Sequence, residues 1–357
     1  MKKWLLIVLA APLLFYSCEE NDDVMFDQNS SEIDMSDFYV YTDMDPDLLR
    51  KETSGKKKNC QSMVVLNRKL KENPGMYQRM YNVEKHTRKT ILAKGKPTGS
   101  PGGGNGNGGN GDGGNDPGPY TGLVSIPVVI NILEDNEGDV TDAQINSQIA
   151  ILNEDFNNAN PNTSSVPAEF AQSVADCNVT FVLKSVNRKE SNKNSWGTND
   201  SMKDAAQGGI AVTDPSTHLN IWVCNIGGGI LGYAQFPGDP DVEGDGIVIG
   251  IDYFGETSGP YGDGRTATHE VGHWLNLRHI WGDGRCKQDD FVTDTPSSDR
   301  SNGGCPAYPT VHCRSADMTM NYMDYVYDDC MYMFTDGQND RMRTLFSEGG
   351  DRIGFIN

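Results

Sequence analysis

Basic residues are scarce in this chain of 357: Lys and Arg number 30 against 50 Asp and Glu, a formal net charge of −20. A surface so acidic repels phosphate, which argues against nucleic acid or an anionic membrane surface as the main partner. Long apolar runs are missing too. The run from Trp4 to Tyr16 falls short of the roughly 20 helical residues that cross a bilayer. No period of 20–50 residues recurs, which argues against a repeat architecture. Apolar residues, at 36 %, lie under the usual ~45–50 %. Many of the 40 glycines sit in one tract, so the rest can still bury a core. By length this is one large domain with a smaller companion, or two domains.

The charge that is present is uneven. Residues 19–45 hold 10 acids and no Lys or Arg, residues 46–98 hold 14 basic and 4 acidic residues, and residues 99–357 hold 14 basic and 36 acidic. Ahead of them, Lys2-Lys3 and the apolar run to Tyr16 read as a processing signal over residues 1–17. Ser17-Cys18 after such a run resembles the bacterial lipoprotein signal, in which the cysteine, here Cys18, is lipidated. The acids Glu19-Glu20-Asn21-Asp22-Asp23 resemble a signal for export to the cell surface. The expectation is an extracytoplasmic protein, either a surface-exposed outer-membrane lipoprotein or one secreted after processing, touching membrane only through its anchor. Residues 18–45 would be a solvated acidic tether.

Residues 46–96 carry helical signals at Val64, Val65, Leu66 and Leu70, then at Met76, Met80 and Val83, broken by Asn73-Pro74-Gly75; a small helical hairpin is the most they suggest. Residues 97–119 include Gly102-Gly103-Gly104-Asn105-Gly106-Asn107-Gly108-Gly109, which can bury nothing and reads as a flexible linker. From Ser125 an α/β pattern begins. Strands are expected at Ile126 to Leu133, Val179 to Val186, Leu219 to Asn225, Ile230 to Phe236 and Ile247 to Tyr253. Thr141 and Gln144 form a capping box ahead of a helix whose apolar face is Ile145, Ile149, Leu152 and Phe156. Gly227-Gly228-Gly229 is too short for a parallel crossover, so Ile230 to Phe236 should be an antiparallel edge open to an added peptide strand. Past Tyr253 aliphatic runs thin out, and something other than a core should hold that half.

Three of the chain's six histidines fall within eleven residues, in Thr268-His269-Glu270-Val271-Gly272-His273-Trp274-Leu275-Asn276-Leu277-Arg278-His279. Residues four apart share a helix face, so His269 and His273 aim two imidazoles at one metal, with Glu270 beside them facing the fourth position. His279 is beyond the reach of a continuing helix, and the chain has to turn after Leu275. Asn276 stands at that turn, and Asn is the residue best tolerated after Gly in the left-handed conformation that ends helices. Three neutral nitrogen ligands suit one catalytic zinc and leave a position for water, whose pKa falls to about 7. Glu270 then takes the proton and hands it to the leaving amine.

With that spacing the sequence resembles the metzincin metallopeptidases, whose motif is His-Glu-x-x-His-x-x-Gly-x-x-His, and more closely the cytophagalysin branch of the pappalysin family. Asn276 stands where most members have Gly. Asn321-Tyr322-Met323-Asp324-Tyr325 matches the family's Met-turn, and the likeness runs from about Ser125 to Phe346. It implies a metzincin-type α/β catalytic domain over residues 120–357, with a five-stranded mixed twisted sheet, an active-site helix and a loop-rich, disulfide-held C-terminal subdomain. It further implies that Met323 lies under the zinc and that Tyr325 steadies the reacting carbonyl.

Four cysteines in the loop-rich half, Cys286, Cys305, Cys313 and Cys330, are expected in disulfides. They allow three pairings, of which the resemblance favours Cys286–Cys313 with Cys305–Cys330. Cys177 and Cys224 are expected as buried free thiols. Cys60, between Asn59 and Gln61, is placed like the cysteine of the family's pro-segments, whose thiolate fills the open zinc position and keeps the enzyme latent. The basic block around it should dock on the acidic domain, helped by the linker's effective concentration. Asp289, Asp290, Thr293, Asp294 and Thr295 crowd oxygen donors into one loop, and Asp290, Thr293 and Thr295 are candidate ligands of a structural calcium. In metzincins the segment after the Met-turn lines the pocket for the side chain that follows the scissile bond. Here it contains Asp329, which in a partly desolvated pocket would select Arg and, less efficiently, Lys.

Two functions fit this reading. One is a monomeric zinc endopeptidase acting on protein or peptide substrates. The other is a catalytically silent, metal-binding surface adhesion lipoprotein of the same fold. No ligand, general base or Met-turn is lost, which favours the enzyme.

Overall fold

Val124–Glu134 is apolar almost throughout and nearly all buried, the pattern of a central strand in a parallel sheet whose two faces are both covered. The computed structural model describes residues 33–40, 60–94 and 118–356. In it this strand, β1, pairs in parallel with β2 (Val179–Glu190) on one side and β3 (Leu219–Cys224) on the other. Next to β3 lies parallel β5 (Ile247–Gly250), and β4 (Gly232–Ala234) closes the edge antiparallel to β5. The order is β2-β1-β3-β5-β4, a mixed five-stranded sheet with the antiparallel edge expected from the glycine triplet. The expected strands are all present, but β4 keeps three residues and β5 gives way to a 3₁₀ turn at Ile251–Tyr253.

Two helices cover one face. Helix α3 (Asp142–Phe156) opens with the Thr141–Gln144 capping box and packs on β2, and α4 (Arg265–Trp274), buried at every residue, packs on β4, β5 and α3. Alternate residues of β1, from Val124 to Ile132, join these helices in the main core. Trp222, Tyr233 and Val248 turn to the opposite face and meet Trp196 and Met202.

The half after Tyr253 departs from expectation. It does have a core: Met318, Met320, Tyr322, Met323, Met331, Met333, Phe334, Met342 and Phe346 are buried in the same cluster as the sheet. Methionine and aromatic side chains fill irregular loops without the periodicity that marks a helix or strand. The expected disulfides, Cys286–Cys313 and Cys305–Cys330, are present, as are α5 (Asp336–Thr344) and a short hairpin of β6 (Val311–His312) and β7 (Ser315–Ala316). Cys177 and Cys224 are buried free thiols.

Upstream, the helical hairpin is longer than expected. It consists of α1 (Ser62–Glu72) and α2 (Met76–Ala93), with Gly75 left-handed between them at φ 94°. The tether is also not solvated over its full length. Val40 is fully buried beside Met63 and Phe236, and the Tyr39 hydroxyl shares its one hydrogen between the carbonyls of Gly282 (2.5 Å) and Asp289 (2.8 Å). Cys18, the signal and most of residues 97–119 lie outside the described residues.

Helix α2 is fastened to α5 by a buried ion pair. Glu84 and Arg341 are each 2 % exposed and pair bidentately, one branch at 3.2 Å, while Arg88 adds a 2.8 Å hydrogen bond. Burial would raise the Glu84 carboxyl, but the Arg341 charge outweighs it and the pKa falls from 4.5 to about 2. A depressed carboxylate pKa stabilises docking above pH ~4.5, and the gain fades as pH falls toward ~2; over that window it amounts to about 3 kcal/mol. Glu84→Gln should loosen α2 by a similar amount at neutral pH by stranding Arg341, read as loss of amide hydrogen-exchange protection in α2. Unchanged protection would count against this account.

Candidate active site

The site is assembled where α4 ends. Gly272 on that helix has no room for a side chain: a Cβ there would lie 2.4 Å from Met323 Sδ, so the Met-turn sits directly under the helix. After Trp274 the chain turns at Asn276 in the left-handed conformation (φ 71°), and Leu277 N–H donates to the Gly272 carbonyl at 2.9 Å. Arg341 Nε holds the Asn276 carbonyl at 2.8 Å. That turn swings His279 back to face His269 and His273, as the spacing required.

All three histidines are fully buried and each spends its Nδ1 on an oxygen. His269 Nδ1 is 2.7 Å from the Tyr322 carbonyl, His273 Nδ1 2.9 Å from the Leu277 carbonyl and His279 Nδ1 2.5 Å from Asp283 Oδ1. Carbonyl oxygens only accept, so the first two Nδ1 atoms carry hydrogens, and a carboxylate partner asks the same of the third. The Nε2 lone pairs of these imidazoles therefore converge, those of His273 and His279 at 3.1 Å. Two bare lone pairs repel at that distance unless a cation lies between them. Tetrahedral zinc with Zn–N bonds near 2.0–2.1 Å sets its nitrogens about 3.4 Å apart, so the donor set fits zinc.

Cys60 completes the group. Its Sγ and one nitrogen from each histidine lie within 4.8 Å of one another, with Sγ 3.6 Å from His273 Nε2 and 3.5 Å from Glu270 Oε2. Burial, followed by the Glu270 charge, pushes the Cys60 thiol well up; a metal at the centre would draw it down to the thiolate. The segment lies on the sheet edge: Cys60 bridges Gly232 in parallel, and Gln61 N–H donates to the Gly232 carbonyl at 3.0 Å. A Cβ on Gly232 would lie 2.8 Å from the Val248 carbonyl oxygen and 3.1 Å from Glu270 Cγ, so glycine there lets β4 lie close against β5 and the Glu270 side chain. The Tyr325 hydroxyl reaches the Cys60 carbonyl at 3.5 Å, and its ring lies 4.8 Å from that of His279.

Some residues about the site were not foreseen. Ser62 donates to Glu270 Oε2 at 2.7 Å and accepts from Ala234 N–H at 2.8 Å; nothing in the sequence links it to Glu270. Asp283 had a signal, a carboxylate four residues after His279. Buried Asp155 ties α3 to α4 and the Met-turn, accepting from the hydroxyls of Thr268 and Tyr322 at 2.7 Å each, with Arg265 beside it.

The loop expected to bind calcium folds on itself. Asp290 is buried and accepts from the Thr295 hydroxyl at 2.9 Å, while Thr293 is exposed. Asp329 is exposed as well, its Oδ1 3.3 Å from Cys305 Sγ and 3.4 Å from Cys330 Sγ. That corrects the expectation of a desolvated carboxylate there: the buried acid on this turn is Asp328, which accepts from Arg265 N–H at 3.1 Å.

A family model described as pregnancy-associated plasma protein-A matches residues 211–347. Extracellular metalloprotease 1 of Coccidioides posadasii is 32 % identical over 232 residues, 62 % of this chain and 75 % of that protein. An extracellular metalloprotease of Pyricularia oryzae is 33 % identical over 233 residues, covering 62 % and 74 %. Among solved structures, mature mirolysin of Tannerella forsythia in complex with a cleaved peptide is 41 % identical with a TM-score of 0.64, covering 66 % of this chain and 96 % of that one. A promirolysin mutant from the same organism is 35 % identical with a TM-score of 0.72, covering 84 % and 97 %. Identity at this level over three quarters of a relative's length, on the same fold and around a zinc-fitting set of histidines, makes the chain a member of the pappalysin (pregnancy-associated plasma protein-A) family, a zinc-dependent metalloendopeptidase.

Proposed function

We propose that the chain is an exported endopeptidase held latent by Cys60 and released by a cut in the glycine-rich stretch of residues 97–119. The observation that carries this is the fourth member of the donor group: three ligands come from the catalytic domain and the fourth from upstream of the linker. The solved pro form covers 84 % of the chain and the mature form 66 %, which supports reading those upstream residues as a pro-segment. The extracellular relatives support a location outside the cytoplasm, and the Cys18 signal adds an outer-membrane lipid anchor to the proposal.

Zinc on His269, His273 and His279 supplies a Lewis acid and an acidified water. Glu270, whose Oε2 now takes the Ser62 hydroxyl, accepts the proton of the attacking water and passes it to the leaving amine. Tyr325 donates its hydroxyl to the carbonyl oxygen as charge builds there. The β4 edge, where Gln61 now bonds Gly232, aligns the peptide by backbone hydrogen bonds. The silent-adhesin reading is not favoured, since every group the chemistry needs is present.

Glu270→Ala should lower cleavage of a denatured protein by about 10²–10⁴-fold, and zinc chelation should abolish it. In the uncut chain Cys60→Ala should raise activity above wild type; equal turnover of the two would remove the thiol as the switch.

For the residue after the scissile bond we propose Arg, then Lys, selected by Asp329. Because that carboxylate is exposed, the preference it adds should be about two- to fivefold, the range of an open ion pair. Peptide-library profiling of Asp329→Ala tests it: an apolar preference at that position, unchanged by the substitution, rules it out. A calcium on the Asp289–Thr295 loop would stabilise the buried Asp290 as its anion. It should appear as a melting temperature that rises with added calcium at constant zinc, more in wild type than in Asp290→Asn.

A further inference from the structure

Lys69, on the upstream helix α1, is 3 % exposed although ammonium groups are almost never buried unpaired. Its Nζ reaches Gln235 Oε1 at 2.7 Å, Asp239 Oδ2 and Asp241 Oδ2 at 3.1 Å each, and Asp200 Oδ2 at 3.7 Å. Asp200 has cations of its own, Lys203 at 3.0 Å and Arg68 at 2.7 Å. The ion pairs of Asp239 and Asp241 run to Lys69 alone among the described residues.

The pocket is built without Lys69. Gln235 Nε2 donates to the Asp241 carbonyl at 2.6 Å, Asp241 N–H to Asp239 Oδ1 at 2.9 Å and Gly244 N–H to Asp241 Oδ1 at 3.2 Å. A Cβ on Gly244 would come within 2.7 Å of Asp241 Oδ2 and 2.8 Å of Gln235 Oε1, so the backbone there makes room for the two acceptors. All the acceptors belong to the catalytic domain; upstream α1 brings the Lys69 ammonium to them and Arg68 to Asp200, which keeps Lys203 of its own domain. Gln235 directly follows β4, the edge that Cys60 and Gln61 occupy.

We propose that Gln235, Asp239 and Asp241 form a second substrate subsite that takes a lysine or arginine side chain, which Lys69 fills in the latent form. This rests on the reading of the upstream hairpin as a removable pro-segment. Once the hairpin leaves, two carboxylates face each other with no cation, and a basic side chain of a peptide lying along β4 restores what Lys69 supplied. Lys69 stands nine residues beyond Cys60, about 13 Å along a helix. An extended peptide covers that distance in about four residues, so the subsite lies that far from the scissile bond, well apart from Asp329.

Two measurements on enzyme activated by a cut in the linker test it. Fluorescence anisotropy compares a labelled peptide of residues 60–72 with its Lys69→Met version. The methionine peptide should bind wild type at least tenfold more weakly, and the gap should close to under twofold on Asp239→Asn/Asp241→Asn. Asp241→Asn alone, at the more exposed member, serves if the double variant does not fold. Equal binding of the two peptides to wild type overturns the proposal, and so does loss of the difference on adding millimolar calcium, which would make the pocket a metal site. In the second measurement, quenched substrates carry Lys, Arg or norleucine three to five residues from the scissile bond on either side. A gain in kcat/KM for the basic residues at one such position, lost in the variant, supports the subsite; no gain at any of them overturns it. The anisotropy arm reads binding without cleavage, so it stands apart from the assignments of Glu270 and Asp329.

Discussion

Three imidazole lone pairs aimed at one point are an unstable arrangement until a cation joins them, and the surrounding structure holds them there. Each ring is fixed by what its far nitrogen bonds: the Tyr322 carbonyl, the Leu277 carbonyl and Asp283. Those partners dictate much of the local fold. The first requires the Met-turn to lie beneath α4, which in turn requires Gly272 to lack a side chain. The second requires the helix to stop and reverse at Asn276. The third brings in the loop after His279, on which Tyr39 is pinned. Outer partners of this kind set tautomer and ring direction, so the geometry is spread over segments more than fifty residues apart in the chain.

This explains why some of the site was legible in the sequence and some was not. The histidine spacing, the left-handed turn at Asn276, the capped helix α3 and the antiparallel edge after three glycines are local rules, read within a dozen residues of one another. The links of Ser62 to Glu270, of Lys69 to Asp239 and of Asp155 to the Met-turn join residues 167 to 208 positions apart, and no local pattern marks them. The hidden core of the second half had a different cause. Its methionines and aromatics sit on irregular backbone, where burial leaves no period to read. The tether was misread for a third reason, since composition averages over a segment and missed that Phe38, Tyr39 and Val40 are apolar inside an acidic stretch.

The upstream hairpin grips the catalytic domain at four kinds of contact. These are a thiol among the metal ligands, a backbone bond on the sheet edge, an ammonium in a carboxylate pocket and a buried Glu84–Arg341 pair. Three are polar and lose water on docking, and such contacts favour one register over all others more than they add affinity. Cys60 can meet the histidines only if α1 and α2 are correctly seated.

Glu84 and Arg341 bear on what a cut in the linker achieves. The contacts described above join residues on either side of the stretch 97–117, so a cut there breaks none of them. What it removes is tethering: an intramolecular association becomes a bimolecular one, with an occupancy that depends on dilution. Under the proposed latency, activation has a proteolytic half and a physical half, and the freed hairpin is a reversible inhibitor in trans. A crowded, confined space would keep the cut enzyme quiet, whereas release into a large volume would free it.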